Sequence, residues 1–333
     1  MSELVLPSGF PNESWDWREY LDLSINVNPL GPPPGVRTAI KRAIDRVIVY
    51  PERSPKTLKE ALAAAWGVRA DQILLGKGVT EIVYFLAREW EREPVALAVP
   101  APPEFLHAYP YAQRVVWADL KRWSQENLLV IAQPNQVTGQ TIPFERLRSW
   151  LLESRNPVLI DESFLDFTDQ PSAATLLELR PNLFVLRTLS AFYGIPGLRL
   201  GALIGPADVL ARLEERRAPW GVDVIAEAAA LACLADADHA ERSRRLICEE
   251  RAWLWSQLPS IPALTVLRSQ ANYYLAYLAS GAAELCEWCF RRKVILRNTT
   301  GWPGIEGEAV RFAVRTRPEN ERLLGLLREY FCG

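Results

Sequence analysis

The chain has 333 residues, 49% of them hydrophobic, which is enough to bury a large core and more than one compact domain usually needs. Its 38 basic and 40 acidic residues balance to a formal net charge of −2, which argues against a nucleic-acid footprint and leaves small molecules as the expected partners. The opening "MSELVLPSGFPNESW" lacks the charged start and apolar core of a secretory signal, and no apolar run reaches membrane-spanning length, so a cytoplasmic protein is expected.

In chain order, "LDLSINVNPLGPPPGV" is rich in Pro and Asn and reads as a surface run between lobes before the first helix. "SPKTLKEALAAAWG" reads as a helix, with Ser54 as cap, Pro55 in the first turn and Gly67 at its end. "QILLG" leads into Gly76-Lys77-Gly78 and the helical "VTEIVYFLAREW". The apolar runs "PVALAV", "LLVIAQ", "PVLIDE", "LFVLRT" and "LGALIG" are expected strands that alternate with amphipathic helices, the pattern of an α/β, doubly wound, mostly parallel sheet. The alternation stops near residue 225. From there "VIAEAAALACLADADHAERSRRLICEERAWLWSQL" reads as long helix, followed from about residue 263 by a smaller α+β lobe. Five cysteines, Cys233, Cys248, Cys286, Cys289 and Cys332, are an odd set crowded toward the C-terminus, which fits a reducing compartment. Cys286 and Cys289 lie in helical sequence without a second ligand pair, so they read as buried or half-buried thiols and no metal is expected.

Ligands of such sheets bind beyond the carboxyl ends of the strands. There, Gly76-Lys77-Gly78-Val79-Thr80-Glu81 opens a helix whose free N–H groups can hold a phosphate, although the third glycine of a dinucleotide fingerprint is missing and the same residues suit an ordinary tight turn. Asp161 closes an apolar strand and needs a partner, either a pyridinium nitrogen or a nearby cap or loop N–H. Thr188, Ser190 and Arg199 are three groups able to surround a phosphate dianion.

The segment from Ser190 to Arg199, with Gly197 and Leu198, keeps the order of a Ser-Lys…Gly-Leu-Arg pattern in every position but one. On these residues the chain resembles the aspartate-aminotransferase superfamily of pyridoxal-phosphate enzymes (aminotransferase class I/II), from "SINVNPLG" through "VRTRPENERLLGLL". The resemblance implies the aspartate-aminotransferase-like fold. Residues 1–45 would be an N-terminal segment packed with a small domain, 46–225 a large cofactor-binding domain, and 226–333 an interdomain helix and the small α+β domain. It implies pyridoxal 5'-phosphate as cofactor, with Asp161 on the ring nitrogen, Phe105 of "PAPPEF" stacked on the ring, and Gly78, Val79, Thr80, Thr188, Ser190 and Arg199 around the phosphate. Tyr50 of "VYPE" matches a tyrosine that reaches the neighbouring subunit's phosphate, which implies a homodimer. Within the superfamily the chain resembles histidinol-phosphate aminotransferases and, through "INVNPLG", "FYGIPGLRLG" and "APWGV", the threonine-phosphate decarboxylases of cobalamin synthesis, which are lyases. A phosphorylated amino acid is the implied substrate, with Asn28, Arg297, Arg315 and Arg317 as candidate binding residues. Arg315 and Arg317 read as sharing a strand face, so at least one is expected to be surface charge.

Three positions depart from the pattern. Ala191 stands where the family has the lysine that bonds the cofactor covalently and carries protons, so cofactor binding should be noncovalent and turnover absent or strongly impaired. The usual Asn-Asn-Pro-Thr-Gly is Asn135-Gln136-Val137-Thr138-Gly139, with Gln136 one methylene longer but still expected to reach the ring hydroxyl. The usual Gly-Asn-Gly is Gly76-Lys77-Gly78, which sets a basic side chain near the expected phosphate. Three changes in one site fit natural divergence better than a single deliberate replacement. Two functions stay open: a decarboxylase- or aminotransferase-like protein that acts on or binds a phosphorylated amino acid, and a non-catalytic regulatory homologue, a pseudoenzyme that keeps the fold.

Overall fold

The computed structural model describes residues 17–117, 119 and 128–332. All five apolar runs expected as strands are strands, and among the described residues they join Ile73–Gly76 and Gln113–Val116 in one seven-stranded sheet. Its spatial order is Ile73–Gly76, Gly201–Ile204, Leu183–Arg187, Val158–Asp161, Leu128–Ala132, Val95–Val99, Gln113–Val116. Neighbours are parallel except at Gly201–Ile204, which runs antiparallel to both of its own. Val158–Asp161, Leu183–Arg187 and Gly201–Ile204 are buried at every position. That is why they read as unbroken apolar runs rather than as alternation. The pairing of Asp161 with Ala132 on one side and Leu186 on the other sets its carboxylate at the carboxyl edge of the sheet.

Helices cover the sheet with spaced apolar residues. Lys56–Trp66 buries Leu58 and Leu62, one turn apart, each stabilising the packing by about 1.5–3 kcal/mol, and it ends at Gly67 with a left-handed φ of 67°. Ser54 does not cap it. The side-chain acceptor for the Lys56 N–H is Glu52 Oε2, at 3.0 Å. Gly78–Glu89 turns Ile82, Val83 and Leu86 inward, which points its N-terminus at the sheet's carboxyl edge beside Gly201.

The long helix expected from residue 224 is two, Val224–Leu234 and Ala237–Gln257, because Asp236 accepts the His239 N–H and starts a second helix. A four-stranded antiparallel sheet follows, in the order Arg297–Asn298, Glu308–Ala313, Tyr273–Leu278, Leu264–Val266. Arg315 and Arg317 do not share a strand face. Arg315 lies beyond the strand Glu308–Ala313, and Arg317 begins the helix Arg317–Cys332, where Pro318 suits the first turn.

The Pro- and Asn-rich segment is not a surface run. Leu21–Asp22 pairs in parallel with Val294–Ile295, Leu23 is fully buried, and Ser24, Asn26 and Asn28 are buried polar residues. Leu21 and Leu23 complete an apolar cluster that continues to Leu327. Residues 1–16 of the expected N-terminal segment lie outside the described residues. Cys289 is buried and Cys286 half-buried on the helix Ala282–Arg291, as their sequence context suggested. Among the described residues no group of three or more His, Cys, Asp and Glu side chains is placed to hold a metal ion, and no helix is long and apolar enough to cross a membrane.

Candidate active site

A cavity of about 500 Å³ opens at the carboxyl edge of the large sheet. Its lining includes Gly78, Val79, Thr80, Phe105, Gln136, Asp161, Thr188, Ser190, Ala191, Arg199 and Arg297, eleven of the fifteen residues singled out from sequence.

One end has the form of an anion cradle. No side chain caps the Gly78–Glu89 helix, which leaves its first N–H groups without intrahelical partners and its positive dipole end facing the cavity. Gly78 has φ +83°, and a Cβ there would lie 2.5 Å from Arg199 Nη2, so the absent side chain makes room for the guanidinium against the backbone. Gly201 does the same from beneath, since its Cβ would approach Val79 N to 2.4 Å. Arg199 Nη2 donates to Thr80 Oγ1 at 3.5 Å. Thr188 Oγ and Ser190 Oγ both donate to the Leu200 carbonyl, at 2.6 and 3.3 Å, and a hydroxyl that rotates from there can donate to an anion instead.

The floor holds Asp161, 1% exposed. Its Oδ1 accepts the Ser163 N–H at 2.8 Å and the Ser163 hydroxyl at 2.5 Å, and its Oδ2 accepts the Gln136 amide. Burial pushes the carboxyl up to about 6, against the pull of the Ser163 bonds, and the Glu104 carboxylate pushes the same way. Gln136 is therefore turned toward Asp161. Phe105, 4% exposed, lines the same space from the short helix Pro103–Ala108.

Ala191 also lines the cavity, and its carbonyl accepts the Asn28 N–H at 3.0 Å. Among the described residues no lysine lines this cavity. Lys77 faces a separate groove with Val47, Val49 and Asp223, so it does not stand in for the missing amine.

The far side carries two arginines. Arg297 and Arg311 are register partners on adjacent antiparallel strands, and both line the cavity. Arg311 donates to the Gln136 carbonyl at 2.8 Å and to the Ser24 carbonyl at 3.1 Å, while its Nε and that of Arg297 are buried without a partner. Burial lowers both guanidinium pKa values, that of Arg311 to about 10, and the charge of Arg297 adds to the effect on Arg311. Arg311 is not among the site residues expected from the sequence. The signal was a single charge in the otherwise apolar strand "AVRFA".

Four expected residues lie elsewhere. Asn28 is fully engaged behind Ala191: its amide donates to the Phe192 carbonyl and to Ser243 Oγ, each at 2.7 Å, and accepts the Leu30 N–H. Arg315 pairs with Glu319 at 3.2 Å, and Arg317 pairs with Glu250 at 3.1 Å while lying over Trp253. Tyr50 is 82% exposed and packs on Trp220.

The carboxyl edge of the large sheet thus brings together an uncapped helix N-terminus, a buried acid and two paired arginines, groups whose chemistry suits an anionic organic ligand. The chain belongs to the aminotransferase class I and II family, whose model matches residues 18–327. It is 31% identical to a histidinol-phosphate aminotransferase of Methanothermobacter thermautotrophicus over 93% of this chain and 89% of that protein. It is 29% identical to a threonine-phosphate decarboxylase of Salmonella typhimurium over 95% of this chain and 92% of that protein. Its fold matches that of a histidinol-phosphate aminotransferase from Sinorhizobium meliloti in complex with pyridoxal-5'-phosphate, with a TM-score of 0.79 at 20% identity, over 93% of this chain and 91% of that one.

Proposed function

We propose that the cavity binds pyridoxal phosphate noncovalently together with a phosphorylated amino acid, and that the chain is a strongly impaired or non-catalytic member of its family. The observation that carries this reading is the retention of the phosphate cradle and of Asp161 around a cavity that Ala191, and among the described residues no lysine, lines. Gly78, Val79, Thr80, Thr188, Ser190 and Arg199 would hold the phosphate, Phe105 would cover the ring face, and Asp161 would meet the ring nitrogen. When bound, the cofactor supplies an electron sink for bonds at the substrate's α-carbon. Arg297 and Arg311 orient the substrate's anions, and Phe105 keeps water from the ring. What the chain lacks is an amine to exchange with the substrate and to move a proton at that carbon. Decarboxylase-like and aminotransferase-like ancestry both fit this arrangement, as does a cytoplasmic role in cobalamin synthesis.

The exposed apolar strip Val47, Ile48, Val49, Tyr50 and Trp220 lies next to the groove that holds Lys77 and Arg199, which supports a homodimer with this face covered. The test is a turnover assay with threonine phosphate and with histidinol phosphate in saturating pyridoxal phosphate. Background rates with measurable ligand binding are expected. Turnover at the rate of an ordinary family enzyme would refute the impaired reading.

A further inference from the structure

The Asn135–Gly139 loop, which brings Gln136 to the cavity wall, is held by a set of side-chain hydrogen bonds. Asn135 Oδ1 accepts the Val137 and Thr138 N–H groups at 3.0 and 2.9 Å, its amide donates to the Pro100 carbonyl at 2.8 Å, and its own carbonyl accepts the Tyr273 hydroxyl at 2.8 Å. Arg311 then grips the Gln136 carbonyl at 2.8 Å, so the backbone of Gln136 is fixed on both sides. From that fixed point the side-chain amide donates to the Asp161 oxygen that Ser163 leaves unused.

We propose that Gln136 is a positioning residue for Asp161 rather than a ligand of the cofactor's ring hydroxyl: its amide holds Asp161 Oδ2, and an incoming ring N–H has to displace it. The proposal rests on the reading of this cavity as a pyridoxal-phosphate site. Its physical basis is that a buried carboxylate needs donors on both oxygens when no ligand is present, and Ser163 supplies only one oxygen with them. The extra methylene of glutamine provides the reach. The other titratable groups acting on Asp161 are Glu104, on the helix across the cavity, and Tyr273, which feels the Asp161 charge from the small sheet. Neither donates to it. Gln136 thus acts as a self-ligand that weakens cofactor binding, because the bond it makes has to be exchanged for the one the ring makes.

Gln136→Leu keeps the bulk and removes the donor, so the two possible roles give opposite signs. If Gln136 bonds the ring hydroxyl, the variant binds pyridoxal phosphate more weakly. If it occupies Asp161, the variant binds about fivefold more tightly at a pH where the carboxyl is ionised, the fold-change of one net hydrogen bond. The experiment titrates pyridoxal phosphate into wild type, Gln136→Leu and Gln136→Asn while following cofactor absorbance. In parallel, the carboxyl carbon of Asp161, assigned by its loss in Asp161→Asn, is followed by NMR against pH in the ligand-free proteins. The expected result is tighter cofactor binding and an upward shift of the Asp161 midpoint in Gln136→Leu, since a donor to the charged form is gone. Weaker binding, or an unmoved midpoint, would overturn the proposal. If no variant binds pyridoxal phosphate, the cofactor reading fails, and the ligand-free midpoint still decides the role of Gln136.

Discussion

Arg297 and Arg311 stand opposite each other across one antiparallel register, two cations lining one wall of a cavity with no carboxylate of the chain within ion-pair distance of either among the described residues. Like charges facing each other across strands destabilise a sheet unless something neutralises them, and each guanidinium also has a buried Nε without a partner. An anion in the cavity would offset both charges, adding to the distant pull of Glu104 on each.

Arg297→Gln should therefore leave the fold intact and weaken binding of threonine phosphate to the cofactor-loaded protein by about 10- to 100-fold, the range of a charge-assisted hydrogen bond. Arg317→Gln should do the reverse. It breaks the contact with the buried Glu250, 7% exposed at its side chain, and should lower the melting temperature without changing ligand affinity. Calorimetric titration of both variants, with thermal unfolding alongside, distinguishes the arginine in the cavity from the one outside it.

Gly78→Ala tests the cradle. At φ +83° any side chain is strained by about 1–2 kcal/mol, and the new methyl would also collide with the Arg199 guanidinium. Pyridoxal phosphate affinity should fall at least tenfold, while Gly35→Ala, in open space on a different helix, should leave it unchanged. Equal affinities in the two variants would show that the phosphate does not sit at this helix end.

The large sheet was legible in the sequence because buried parallel strands are written as short apolar runs, and the edge where the cavity opens because Asp161 and Thr188 interrupt or close such runs. What stayed hidden depends on contacts across the chain. Arg311 belongs to the site because its strand brings it beside Gln136, 175 positions away. Asn28 looked like a ligand group but is spent on pinning the Ala191 turn, a role set by Ser243 on a distant helix. The break at Asp236 was masked by the Ala-rich sequence around it, with no Gly or Pro to mark it. Pro318 is a helix-start signal that sets Arg317 on the last helix and not on the strand before it.

The raised carboxyl of Asp161 gives the ligand-free protein a defined pH response. An acid raised in the native state to about 6 contributes no penalty below the ordinary carboxylate range, and stability is lost as pH rises through about 6. The loss attributable to Asp161 is on the order of 1–3 kcal/mol. Glu162, pushed by burial up to about 7, acts with the same sign and is present in both proteins compared. Asp161→Asn should thus gain on wild type in melting temperature between acidic and neutral pH, and a constant difference across that range would contradict the assignment.

Ile48 is 87% exposed within the apolar strip that also holds Tyr50. If a second copy covers it, Ile48→Glu should shift the protein toward monomer in sedimentation velocity and weaken pyridoxal phosphate binding with it. A monomeric wild type would rule out the homodimer.

A cavity that keeps pyridoxal phosphate without bonding it covalently has a distinct response to reduction. The most direct measurement saturates the protein with pyridoxal phosphate, treats half with borohydride, dialyses both halves, and reads intact mass and residual cofactor absorbance, with Ala191→Lys carried through in parallel. Saturable binding, complete removal by dialysis and no mass adduct are expected for the wild type, against a borohydride-fixed adduct at residue 191 in the variant. A reduced adduct on the wild-type chain, at Lys77 or any other lysine, would contradict noncovalent binding.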